Sequence, residues 1–80
     1  MSEEIPKELL DTGLRWTATE RDGQYVAYDG AFRYDCHTRA GRVDLTMLRY
    51  DYSGWTSSNA CRPTVAEALA VARRMIEAAQ

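Results

Sequence analysis

Between Ala31 and Tyr52 the chain reads AFRYDCHTRAGRVDLTMLRYDY, and this stretch restricts the fold more than any other. Phe32, Tyr34, Cys36 and Thr38 fall on one parity, with Arg33, Asp35, His37 and Arg39 on the other. Successive side chains of a strand point to opposite faces, so the alternation describes a sheet with one buried face. Ala40-Gly41 interrupts it, and Val43, Leu45 and Met47 resume it. The stretch therefore predicts a long antiparallel hairpin at the centre of a small sheet.

Two further turns extend the hairpin into a meander. Arg21-Asp22-Gly23 and Asp29-Gly30 each end in the Asp-Gly pair that supplies the positive φ angles of tight hairpins. Before the first turn, Leu14, Trp16 and Ala18 alternate with Arg15, Thr17 and Thr19, which predicts a half-buried first strand. Gln24 to Tyr28 is the second. In the fourth, Val43, Leu45 and Met47 keep one parity while Leu48, Tyr50 and Tyr52 keep the other. Either a bulge at Met47-Leu48 shifts the register, or both faces are covered there, one of them by a partner. Ser53-Gly54 ends or bends this strand, and Trp55 to Ser58 suits a short fifth strand or a loop.

The flanks supply the helices. Ser2 to Leu10 reads as a helical turn with Pro6 at its first position and Gly13 as its stop. Thr64-Val65-Ala66-Glu67 is a capping box, and Pro63 before it fixes the entry. Val65, Leu69, Ala72, Ile76 and Ala79 follow at helical spacing, with Ala68 and Met75 widening the stripe. The expected fold is α+β: one compact domain over residues 1–80, with a four- to five-stranded antiparallel meander, one C-terminal helix packed on one face and a short N-terminal helical turn.

Length makes that economy necessary. A chain of 80 residues buries only roughly 60–65% of the surface its unfolded form exposes, so one sheet must be closed by little more than one helix. Hydrophobic residues at 45% and charged ones at 28% are ordinary for a globular domain and argue against disorder. The N-terminus carries acids where a signal peptide needs positive charge, and no apolar run is long enough to span a bilayer. The expected compartment is the cytoplasm. There Cys36 and Cys61 are read as small buried hydrophobes, with a disulfide between them as the alternative.

No motif specifies a chemistry. His37 is the single histidine, and its neighbours on the same face, Asp35 and Arg39, make a solvated stripe rather than an acid–base site. Cys36 and His37 point to opposite faces of one strand and cannot share a metal ion without a bulge. Ser53, Ser57 and Ser58 lack a nucleophile elbow, and the five glycines are scattered one per turn rather than gathered in a phosphate cradle. No enzymatic activity, cofactor or metal is expected. A short helix, an antiparallel sheet and a final helix is also the order of a double-stranded RNA-binding domain. That family places lysines at the start of the last helix, where this chain has Glu67, and a pI near 5.3 lacks the electrostatic footprint.

Two family resemblances follow from these residues. Gly23-Gln24-Tyr25-Val26-Ala27 with Thr64-Val65-Ala66-Glu67-Ala68-Leu69-Ala70 resembles the strand and helix of a HicB-type antitoxin. It departs where Asp29-Gly30 replaces that family's Pro-rich, Gly-Cys turn. In size, acidity, sheet-plus-helix layout and lack of a catalytic set, the whole chain resembles the small anti-CRISPR proteins of phages and mobile elements, in particular a type I-C inhibitor. That resemblance implies an inhibitor that binds a subunit of the type I surveillance complex (Cascade) and blocks recognition of target DNA. The first resemblance implies instead an antitoxin or phage regulatory module bound to a small protein.

The partner expected on either reading is a protein, with no direct contact to nucleic acid or membrane. Glu20, Asp22, Asp29, Asp35, Asp44 and Asp51 are the acids available for mimicry of DNA, but Arg33, Arg39 and Arg42 cancel part of their field. A mixed patch of Tyr25, Arg33, Asp35, His37 and Asp44, with Asp29 at the second turn, suits ordinary protein–protein contact better. The same residues would also make an ordinary solvated sheet face.

Overall fold

The computed structural model describes residues 5–79. Helix α1 (Lys7–Leu10) precedes strands β1 (Trp16–Ala18), β2 (Gln24–Asp29), β3 (Phe32–Arg39), β4 (Arg42–Asp51) and β5 (Gly54–Arg62), and helix α2 (Val65–Ala78) closes the chain. The strands form one antiparallel sheet in the order β1-β2-β3-β4-β5, an uninterrupted meander within the expected α+β class. The part of the expected N-terminal turn on Ser2, Glu3 and Glu4 lies outside the described residues.

Turn chemistry sets the register. Asp29 pairs with Phe32, so the β2–β3 link is Gly30-Ala31, one residue later than the Asp-Gly pair itself. Gly30 takes φ +60° at the first linking position, which a tight hairpin assigns to glycine. The β3–β4 link is Ala40-Gly41 and the β4–β5 link is Tyr52-Ser53, each closed by a pair on either side.

One face of the sheet is covered. Trp16, Ala27, Tyr34, Cys36, Val43, Leu45, Met47 and Ala60 point into the core with Val65, Ala68, Leu69, Ala72 and Ile76 of α2. Thr64 caps α2 by accepting from the Glu67 amide at 3.2 Å. The capping is one-sided: no bond returns from the Glu67 carboxylate to the Thr64 amide among the described residues. Helix α1 adds Leu9, which is fully buried, and Thr12 Oγ1 accepts from Trp16 Nε1 at 2.9 Å. Pro6 sits at the N-cap of α1, just before the first helical residue where it was expected. Met75 and Ala79, expected in the apolar stripe, are exposed instead, because the sheet beneath α2 accommodates a narrower face.

Two expectations about the last strands are corrected. β4 pairs residue for residue with β3 and β5 through Met47 and Leu48, so there is no bulge. The apolar pattern changes parity because the covered face turns polar at Arg49 and Asp51 while Leu48 and Tyr50 occupy the other face. β5 is nine residues long and takes in the Ser-Ser-Asn run as paired strand. Ladder hydrogen bonds and the seat under α2 outweigh the loop propensity of those residues.

Candidate functional site: the open sheet face

The sheet face away from α2 carries the side chains that could meet a partner. Register arranges them in rows across the strands. Tyr28, Arg33, Leu48 and Ser57 make one row, and Val26, Asp35, Thr46 and Asn59 the next. Gln24, His37, Asp44 and Cys61 make the third, while Tyr50 and Trp55 pair at the end of the first.

The face divides into an aromatic end and a polar end. Tyr28, Tyr50 and Trp55, on β2, β4 and β5, are 66%, 58% and 61% exposed. The Tyr50 and Trp55 rings meet cross-strand in a tilted contact, with centroids 5.1 Å apart and planes inclined by 59°. Arg33 lies over the Tyr28 ring with Cζ 5.9 Å from its centroid, within cation–π range. Together with Gly30, Ala31 and Phe32 these residues border a shallow apolar depression at this end of the sheet.

At the polar end the acids are engaged by neighbours. Asp35 accepts from Arg33 Nη2 at 3.3 Å, an exposed pair of little energetic consequence. Asn59 Nδ2 donates to Asp44 Oδ1 and to Thr46 Oγ1, both at 2.8 Å. Arg42 Nη1 lies 3.6 Å from Cys61 Sγ. His37 and Cys61 flank Asp44 on adjacent strands, so this row holds a histidine, a carboxylate and a thiol on one face. The His37 and Cys61 strands stand two strand spacings apart, about 10 Å, and Asp44 is already bound to Asn59. Among the described residues no group of three or more His, Cys, Asp or Glu side chains is placed to hold a metal ion.

Four of the six expected contact residues, Arg33, Asp35, His37 and Asp44, share this face. Tyr25 does not. It pairs with Cys36 and Ala18 and packs half-buried against the core on the covered side. Asp29 pairs with Phe32 and so follows the parity of the covered face, although its side chain is exposed at the strand end. Tyr28, Tyr50 and Trp55 were missed as candidates; for Tyr50 the change of parity after Met47 was the signal, while Tyr28 and Trp55 had none.

The cysteines are free and lie on opposite faces. Cys36 stands beside Leu45 and Ala60 in the core, and Cys61, next in sequence to Ala60, points the other way. This parity excludes the alternative disulfide. Burial first, then the charges of Glu8 and Asp44, push the Cys36 thiol up to about 11. Asp51 at the β4–β5 turn is shifted down, chiefly by the Ser53 hydroxyl and then by the Ser53 amide, which donate to Oδ1 at 2.7 and 2.9 Å.

Comparison with protein-family models, curated proteins and solved structures finds no match to this chain. No helix among the described residues is long and apolar enough to cross a membrane.

Proposed function

We propose that this protein works by stoichiometric binding, seating the aromatic end of its open sheet face on a protein partner. The observation that carries the reading is the exposed group of Tyr28, Arg33, Tyr50 and Trp55 on a sheet face that no element among the described residues covers. Aromatic and arginine side chains are the residue types that dominate binding energy when desolvated at the centre of an interface. The rim is supplied by Asp35, His37 and Asp44 on the adjoining rows.

The partner we propose is a type I CRISPR effector complex, in which binding blocks recognition of target DNA. This choice of partner comes from the resemblance to small anti-CRISPR inhibitors. Mimicry of DNA charge is not the favoured means, because Asp35 is paired with Arg33 and Asp44 is held by Asn59. Contact through the aromatic end needs no excess of negative charge.

The test is a titration of purified type I-C effector complex with this protein, followed by target-DNA binding and cleavage. Loss of DNA binding at one equivalent is expected, with Trp55→Ala and Tyr50→Ala weakening inhibition by about tenfold or more. Unchanged cleavage in molar excess of the protein would overturn the choice of partner. Full inhibition by both variants would overturn the choice of surface.

A further inference from the structure

The two edges of the sheet differ in a way the proposed contact face does not explain. β1 is only three residues long, and a very short edge strand is a standard protection against unwanted pairing. β5 is nine residues long, and no strand among the described residues pairs with its outer side. Its sequence GWTSSNACR has no proline, lysine or acid, and its register with β4 runs without interruption from Gly54 to Arg62. Proline, lysine, inward-pointing charge and bulges are the devices that guard sheet edges. Arg62 alone acts in this way, its Nη1 donating to the Cys61 carbonyl at 2.8 Å at the strand's last turn of pleat.

The helix above the same edge is also incomplete. Ala66, Leu69, Ala70 and Arg73 of α2 border a cleft with Glu8, Asp11 and Thr12, so this flank of α2 faces α1. Helical spacing puts Val71, Met75 and Ala78 on the opposite flank, above the β5 edge. Val71 is partly buried against the core, whereas Met75 remains 47% exposed. An unguarded strand and an apolar helix flank thus run along the same border of the molecule.

We infer that β5 pairs antiparallel with β5 of a second copy, joining two sheets into one of ten strands and bringing the two α2 flanks together. A second copy suits this border because one symmetry operation covers both features. Ser58 is the middle residue of β5 and its hydroxyl donates to the Ala72 carbonyl at 2.8 Å, so Ala72 sits directly above it. A two-fold axis through Ser58 therefore runs the Val71–Met75 flank of one helix antiparallel against the same flank of the other, so that Met75 of each copy reaches toward Val71 of its partner. A foreign peptide added as a strand would satisfy the β5 backbone but leave Met75 uncovered. The open faces of the two copies stay free on one side of the joined sheet, so the dimer would present the aromatic end twice.

Analytical ultracentrifugation of the full chain across a concentration series tests the assignment. The expected species has twice the 9.1 kDa chain mass, and amide exchange over Trp55–Cys61 slows as concentration rises. Met75→Lys introduces charge at a position already exposed, so the fold survives, as checked by circular dichroism, while dimer association weakens by about tenfold or more. Tyr28→Ser, on the open face far from β5, leaves the dimer intact. A monomer throughout the series, or a dimer that Tyr28→Ser breaks and Met75→Lys does not, overturns the inference. Neither result bears on inhibition of an effector complex, which is read separately.

Discussion

Gly23 and Thr38 lie in backbone contact at the open end of the β2–β3 hairpin: the Gly23 carbonyl accepts from the Thr38 amide at 2.8 Å, and a Cβ on Gly23 would come within 2.8 Å of the Thr38 carbonyl oxygen. Gly23 also takes φ +75°. A side chain there meets both a steric and a conformational penalty, and the obstructing atom is backbone that cannot rotate away. Gly23→Ala is expected to cost about 2–3 kcal/mol. Gly30 has φ +60° but open space around its Cα, so Gly30→Ala should cost only about 1 kcal/mol. Urea denaturation of the two variants side by side checks the difference.

Ser58 is the one buried polar side chain among the described residues, and its hydroxyl is satisfied by the Ala72 carbonyl. Ser58→Ala removes that bond and leaves a helix carbonyl that the normal helical amide still satisfies. The expected loss is about 1 kcal/mol. Leu69→Ala or Ile76→Ala on the same helix should cost about 2–5 kcal/mol through the cavity left behind. Thermal and chemical unfolding of the three variants gives the order directly; a Ser58 variant as damaging as Ile76→Ala would show that the hydroxyl has a larger part than one neutral bond.

The two thiols should separate cleanly in a labelling experiment. Cys36 is 1% exposed and its ionisation is pushed to about 11 by burial, whereas Cys61 lies on the open face. A thiol reagent applied to the native protein at neutral pH should modify Cys61 rapidly and Cys36 only after unfolding. Stoichiometry of one label per native chain, rising to two in denaturant, is the expected reading.

The same thiol gives a pH dependence of defined sign. The folded state holds Cys36 protonated to about 11, while the unfolded chain ionises near the ordinary 9.0. Its contribution is therefore fully present below 9.0 and is lost progressively as pH rises from there through about 11. The loss is of order 2 kcal/mol. Cys36→Ala, compared with the parent chain across that window, should show a correspondingly flatter decline in unfolding free energy.

Trp16 and Trp55 report on the two faces. Trp16 is buried and donates to Thr12, while Trp55 is exposed beside Tyr50. Acrylamide should quench the Trp16→Phe variant strongly and the Trp55→Phe variant weakly. Trp55→Ala should leave folding stability within about 0.5 kcal/mol of the parent, so any loss of partner binding in that variant belongs to the surface.

The meander was legible because its signals are local. Strict alternation over Phe32–Arg39 and a glycine in or beside each of the four strand-to-strand links specify antiparallel neighbours without long-range information. Thr64, Val65, Leu69 and Ile76 likewise specify α2 and its buried side. Three features were not legible. The extent of β5 depends on Ser57, Ser58 and Asn59 being paired by β4, which their intrinsic preference opposes. The exposure of Met75 depends on how far the sheet extends beneath the helix. The face of Tyr25 depends on the parity of β2 relative to β3, and residues 25 and 28 are both tyrosines of opposite parity. Sequence offered no reason to choose Tyr28 for the open face until the register was known.

Strand order and chain order coincide from β1 to β5, and α2 folds back over β4 and β5, the two strands just before it. Most loops to be closed during folding are therefore short, and their entropic cost is low. The segment from Arg42 to Ala78 can assemble as a hairpin and its covering helix before the N-terminal strands join. The route to the native state then proceeds by successive addition of neighbours, and it is expected to be rapid for a protein built mainly of strands.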